Sequence, residues 1–119
     1  MNADELKSRC KTVAIEVAKL VEQLPNGQTT SVFGRQLLRS AASVAANYRS
    51  ACRARSRAGF INMLGIVEEE TDESPFWLEM LVEMKKIEAS SVEPLVKELK
   101  ELLAIFTASR KTAKSGAKQ

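Results

Sequence analysis

Hydrophobic residues recur every three or four positions along most of the chain, which is the period of an amphipathic α-helix. Four such stripes are separated by short segments that contain proline, glycine or serine. Their limits predict helices over about 3–24, 31–55, 57–86 and 91–106. No sustained strand-type alternation competes with them. The sequence therefore predicts an all-α protein, an antiparallel up-down-up-down four-helix bundle in residues 1–106.

Two segments complicate this pattern. Pro75 lies inside the third stripe, where an interior proline costs a helix about 3 kcal/mol. A break there would leave the acidic run 68–73 as a loop between two short pieces, so we expect one long bent helix. After Phe106 the chain has basic and small residues but no core residue. Residues 107–119 are therefore expected to form a disordered basic tail.

Composition narrows the class of protein. A chain of 119 residues, 45% hydrophobic and 28% charged, is typical of one soluble globular domain. No apolar run is long enough to cross a membrane, and the N-terminus is charged where a signal peptide needs an apolar segment. We expect a cytoplasmic protein without a membrane partner. Its two cysteines, Cys10 and Cys52, are then expected to be free thiols.

The chain contains no histidine. This removes the commonest general base, most zinc sites and the Ser-His and Cys-His nucleophile pairs. The expectation is a protein that is not an enzyme and has no catalytic residues, no cofactor and no metal site.

Charge is arranged in blocks. Residues 31–67 hold six arginines and no acid, whereas residues 68–106 hold eleven acids and four lysines. Four of the arginines cluster near the end of the second predicted helix: Arg49, Arg53, Arg55 and Arg57. They are candidates for RNA or DNA binding, because guanidinium groups match phosphate geometry. Salt bridges within the protein or between subunits are the alternative.

The acidic run admits two structural interpretations. A di-iron site in a bundle normally uses Glu-x-x-His motifs, which this chain lacks. Glu69 and Glu73, one turn apart, are instead expected to face Asn47 and the arginines of the second helix in a partly buried network. A solvated acidic face is the alternative.

Phe76 and Trp77 are adjacent on the third predicted helix. Neighbouring side chains on a helix point about 100° apart, so both cannot face the same core. We expect one of the two aromatic residues to lie at an oligomer interface.

Three segments carry a resemblance to a known family. They are the Q-L-x-R-[SA]-x-x-S-[VI]-x-x-N run at 36–47, R-S-x-x-x-F-x-x-x-L at 55–64 and E-E-x-x-E-x-x-x-W-L at 69–78. Over about residues 5–106 the chain resembles the proteins encoded by intervening sequences of bacterial large-subunit ribosomal RNA genes, historically labelled S23 ribosomal proteins. Pro75 departs from the family pattern, which more often has an apolar helix former there.

The resemblance implies an antiparallel four-helix bundle that assembles as a ring-like homopentamer, with no enzymatic activity attached. A similar branch is the accessory variability determinant of diversity-generating retroelements, which binds reverse transcriptase and nucleic acid. We therefore expect a non-enzymatic oligomer whose partners are further copies of itself, RNA or DNA, and a reverse transcriptase. The alternative is a protein-binding adaptor whose charged blocks serve its own assembly.

Overall fold

The protein is a bundle of four α-helices. The structure, a computed structural model, describes residues 1–116. Helix α1 spans Ala3–Glu22, α2 spans Gln28–Cys52, α3 spans Arg57–Glu83 and α4 spans Ala89–Gly116. Consecutive helices run antiparallel in a rod that measures 52 × 22 × 21 Å. The predicted all-α four-helix bundle is confirmed.

Local capping explains where three helices begin. Asn2 accepts a hydrogen bond from the Glu5 amide at 2.8 Å at the start of α1. Ser56 does the same for the Gly59 amide at 3.0 Å at the start of α3. Helix α2 begins at Gln28, three residues before the predicted limit, because the carbonyl of Gly27 already accepts the first helical bond.

Helix α3 continues through Pro75 without interruption. Buried hydroxyls hold the turn before the proline. Thr71 donates to the Val67 carbonyl at 2.6 Å, and the Ser74 hydroxyl lies 3.0 Å from the Glu70 carbonyl oxygen. Ser74 also lies 2.9 Å from the hydroxyl of Ser40 in α2. These small polar residues let α2 and α3 approach closely and fix their register.

Helix α4 extends ten residues beyond its predicted end at Phe106. The prediction of a disordered tail is therefore wrong for 107–116, and 117–119 lie outside the described residues. Arg110 explains the difference, because its Nε donates to the Ile61 carbonyl at 3.2 Å and its guanidinium covers Gly65. The pattern of apolar residues cannot predict this contact, because it is made by the methylene chain and the guanidinium group of an arginine.

The core runs the length of the rod. Leu37, Leu64, Leu78 and Leu99 are fully buried, one or more from each of α2, α3 and α4. Helix α1 meets α4 over a shorter stretch than it meets α2. Near that seam Arg9 binds Glu98 in a two-pronged ion pair that joins α1 to α4.

Candidate nucleic-acid interface

Four arginines surround the connection between α2 and α3. Arg49 lies in the last turn of α2, Arg53 follows its last residue, and Arg55 and Arg57 flank the capping Ser56. All four are exposed, and within residues 1–116 none has a carboxylate within 4.0 Å. The cluster is therefore open to a ligand.

The acidic run lies elsewhere because of the antiparallel register. Ser40 faces Ser74, so the acids of α3 lie beside the middle of α2 and not beside its end. Arg39 binds Glu70 at 3.0 Å and also binds Glu73. The acids thus neutralise an arginine outside the cluster.

The C-terminal turns of α4 add two cations at the same end of the rod. A Cβ placed on Gly116 would lie 3.3 Å from the guanidinium of Arg57, so the end of α4 lies beside the start of α3. Lys111 and Lys114 are exposed on these turns. We call the surface formed by the following residues the basic end: Arg49, Arg53, Arg55, Arg57, Lys111 and Lys114.

Sequence reasoning missed the two lysines as part of an ordered surface. The available signal was the spacing of Lys111 and Lys114, three residues apart with helix-compatible neighbours. That signal is weak without Arg110, whose contact with α3 keeps this part of α4 against the bundle.

Helix α1 contributes a groove next to the basic end. Alanines 45 and 46 form its floor, and Lys7, Lys11 and Arg49 border it. Asp4 partly offsets this charge, because its carboxylate lies 3.4 Å from the Lys7 ammonium. The groove extends the positive surface along the side of the bundle.

A model of the 23S rRNA-intervening sequence protein family matches residues 5–108, which include all four helices and the arginine cluster. The chain belongs to this family. It is also similar to a crystal structure of a protein of unknown function from the S23 ribosomal protein family of Bacteroides thetaiotaomicron VPI-5482. The TM-score is 0.85 and the sequence identity 32%, over 93% of this chain and 99% of that one. No curated protein matches the sequence.

The resemblance to intervening-sequence proteins is thereby confirmed. The family description names no enzymatic activity, and the related crystal structure is that of a protein of unknown function. The link to retroelement accessory proteins, the homopentamer and the reverse-transcriptase partner all stay predictions.

The polar network on α3 of this intervening-sequence protein differs from the predicted one. Glu73 does bind an arginine of α2, but that residue is Arg39, and the carboxylate also accepts a 2.9 Å hydrogen bond from Trp77 Nε1. Glu69 is exposed, and Asn47 donates to the Ser43 carbonyl of its own helix at 2.9 Å. The structure therefore does not join Asn47 to either glutamate.

Phe76 and Trp77 differ in burial, although their rings meet edge-to-face with centroids 4.9 Å apart. The Phe76 side chain is 49% exposed, whereas Trp77 is half-buried against the core with its ring 5.7 Å from that of Phe33. An oligomer interface at these aromatic residues stays a prediction. Phe76 is the more exposed of the two and is therefore the side chain that would contact another subunit.

Cys10, one of the two free cysteines, is buried in the core. Burial raises the pKa of the Cys10 thiol to about 12, so this cysteine remains protonated and unreactive at neutral pH. Within residues 1–116, no three Cys, Asp or Glu side chains converge on a possible metal position. No helix in that range is long and apolar enough to span a bilayer.

Proposed function

We propose that this protein binds the phosphate backbone of structured RNA or duplex DNA through its basic end. The observation that carries the proposal is the exposure of Arg49, Arg53, Arg55 and Arg57 without a carboxylate partner in the described chain. Guanidinium groups free of internal pairing can form two-pronged hydrogen bonds with phosphate oxygens.

The chemistry of this surface favours phosphate recognition over base recognition. Tyr48 is only 6% exposed and Phe60 is half-buried, so the aromatic residues nearest the cluster offer no free stacking surface. Proteins that bind single strands usually stack bases on exposed aromatic rings. Binding is therefore expected to tolerate sequence changes and to depend on the shape and charge of a double helix.

The family description gives the first probe to use. It refers to 23S rRNA, so a helical fragment of that RNA is the primary ligand, with a DNA duplex of equal length for comparison. Each phosphate contact releases a counterion, so the affinity falls as the salt concentration rises. On duplex DNA, the slope of log affinity against log salt concentration is about −0.9 per contact.

The deciding experiment is a salt titration of binding by the wild type and by Arg53→Ala/Arg57→Ala. The double variant should bind more weakly and with a flatter slope, while its thermal unfolding stays unchanged because both side chains are exposed. The matched control is Arg35→Ala/Lys85→Ala, which removes two exposed cations at the opposite end of the rod.

Two results would contradict the proposal. One is the absence of binding by the wild type at low salt. The other is an equal loss of affinity in both double variants, because that would indicate a response to net charge and not to the basic end.

A further inference from the structure

A small cavity lies where α1 ends and α2 begins. Its volume is about 270 Å³, and it is lined by the connection between the two helices, the end of α1 and the first two turns of α2. Helix α2 runs from this cavity to the connection that carries the arginine cluster. The cavity therefore lies at the end of the rod opposite to the basic end.

The first turn of α2 presents hydrogen-bond donors that need an acceptor from outside the helix. The first amides of any α-helix have no carbonyl partner within it, and here they include those of Gln28, Thr29 and Thr30. Gly27 occupies the capping position and has no side chain that could accept from them. Such amides, together with the helix dipole, favour a ligand with negatively charged oxygen atoms.

Thr30 gives an independent reason to expect a ligand. It lines the cavity and is only 2% exposed, yet its hydroxyl has no hydrogen-bond partner in the described part of the chain. The other buried hydroxyls, on Ser40, Thr71 and Ser74, all have partners. A buried polar group without a partner lowers stability, and folded proteins rarely contain one. The Thr30 hydroxyl is therefore suited to a partner that the chain itself does not supply.

The missing side chain of Gly27 leaves room for that partner. A Cβ placed on Gly27 would lie 3.4 Å from Thr30 Oγ1 and 3.8 Å from Thr30 Cβ, so the hydroxyl faces this space. Gly27 also lines the cavity. The side chain of a capping residue normally accepts from the amide of the second or third helical residue, which here are Thr29 and Thr30. A ligand oxygen in its place can reach an amide of the first turn and the Thr30 hydroxyl together.

The two charged residues of the lining offset each other. Glu22 and Arg35 are both exposed at the cavity. The guanidinium of Arg35 already donates to the Ser31 hydroxyl at 2.6 Å. A preference for an anion therefore comes from the neutral donors at the start of α2.

We propose that this cavity binds a phosphate group, one oxygen atom of which takes the place of a capping side chain at Gly27. That oxygen accepts hydrogen bonds from the first turn of α2 and from the Thr30 hydroxyl. A phosphate group fits because it carries several acceptor oxygens and the negative charge that a helix N-terminus favours. Its source is either free phosphate or a small phosphate ester. The proposal does not rest on nucleic-acid binding at the basic end.

NMR titration with inorganic phosphate at constant ionic strength tests the site in the full chain. The amide signals of residues 28–30 should shift along one saturating curve. Phosphate also attracts the arginine cluster, and the residue-by-residue readout separates the two events. Arg53→Ala/Arg57→Ala should therefore leave the curve at residues 28–30 unchanged.

A conservative substitution tests the hydroxyl. Thr30→Val keeps the shape of the side chain and should lower the phosphate affinity at residues 28–30 at least about tenfold. Without phosphate its thermal unfolding midpoint should stay the same or rise, because an unpaired buried hydroxyl is removed. Thr30→Ser keeps the hydroxyl and should retain binding. The matched control is Thr29→Val, which removes an exposed hydroxyl outside the cavity lining and should leave the affinity unchanged.

Adenosine 5′-monophosphate and adenosine identify the source of the phosphate group. Tighter binding of the monophosphate than of inorganic phosphate supports a phosphate ester, and weaker binding supports free phosphate. Adenosine alone should not shift the amides of residues 28–30.

Three outcomes would overturn the proposal. The first is the absence of saturable shifts at residues 28–30 in millimolar phosphate. The second is wild-type affinity in Thr30→Val, or an equal loss in Thr30→Val and Thr29→Val. The third is equal binding of adenosine and its monophosphate, because the phosphate group would then contribute nothing.

Discussion

The arginines of α2 behave differently in the middle of the helix and at its end. Arg39 binds two glutamates of α3, and one of these glutamates also holds the indole of Trp77. Arg49, two to three turns further along the same helix, is exposed and has no carboxylate partner in the described chain. Both residues are arginines of the same helix, so neither the residue type nor the helix determines whether the side chain is paired with a carboxylate.

The register between α2 and α3 decides it. The Ser40–Ser74 contact brings the acidic run beside Arg39, while the part of α3 nearest the end of α2 is its acid-free beginning. A charge block in a sequence thus separates into a paired part, which stabilises the bundle, and an unpaired part, which can bind a partner.

The largest expected effect is on the paired arginine. Arg39→Ala leaves Glu70, whose side chain is 18% exposed, without its cation. The free energy of unfolding should fall by about 1–2 kcal/mol, because a partly desolvated carboxylate loses its partner. Arg49→Ala is the matched control and should change it by less than about 0.5 kcal/mol. Chemical denaturation measures both, and equal losses would contradict the separation.

A similar effect is expected at the seam between α1 and α4. Hydrogen bonds from Arg9 lower the pKa of Glu98 below its ordinary value of 4.5. Glu98→Gln should lower the free energy of unfolding by about 1 kcal/mol at neutral pH. The effect is small because the side chains of Arg9 and Glu98 are both partly exposed.

The pH dependence of that effect has a definite sign. A carboxylate with a lowered pKa in the folded state stabilises the protein above pH 4.5, and this stabilisation is lost as the pH falls through the folded-state pKa. The difference between the wild type and Glu98→Gln should therefore shrink in acid. A difference in denaturation midpoint that stays constant on acidification would refute the role of this ion pair.

A smaller effect is expected where α4 is attached to α3. Arg110→Ala removes the hydrogen bond to the Ile61 carbonyl and the cover over Gly65. Global stability should fall by only about 0.5–1 kcal/mol, since no core residue is lost. Backbone amides of residues 107–116 should nevertheless exchange faster, because this segment would fray. Unchanged exchange there would mean that other contacts hold the helix.

These residues also show what the sequence alone could predict. The four apolar stripes predicted the number and order of the helices. They also predicted the helix limits to within three residues, except at the end of α4. The start of α3 follows from local sequence as well, because Ser56 directly precedes the third stripe and caps the helix through its own side chain. Local periodicity therefore accounts for most of the fold.

The polar contacts were less predictable because they depend on the register of two helices. The pattern indicated that acids of α3 meet arginines of α2, which is correct for Glu73, but it selected Asn47 where the structure has Arg39. A shift of about two turns exchanges these partners without changing either hydrophobic stripe. The end of α4 was missed for a related reason, since Arg110 contacts a distant glycine.

The smallest expected effect on stability concerns the two lysines that α4 brings to the basic end. Lys111→Ala/Lys114→Ala should leave the free energy of unfolding nearly unchanged, because both side chains are exposed and alanine favours helix. Binding to the 23S rRNA fragment should still weaken, and its salt slope should flatten, if these turns contact phosphate. Each lost contact would reduce the slope by up to about 0.9 on duplex DNA.

The same titration separates the two parts of the basic end. If Arg53→Ala/Arg57→Ala flattens the slope but the lysine variant keeps the wild-type slope, the connection between α2 and α3 binds nucleic acid without the end of α4. If Arg110→Ala also flattens the slope, although its own guanidinium is engaged with the Ile61 carbonyl, then the ordered position of Lys111 and Lys114 matters as well as their charge. Unfolding curves for the three variants, recorded in the same buffers, distinguish a loss of this order from a loss of the fold.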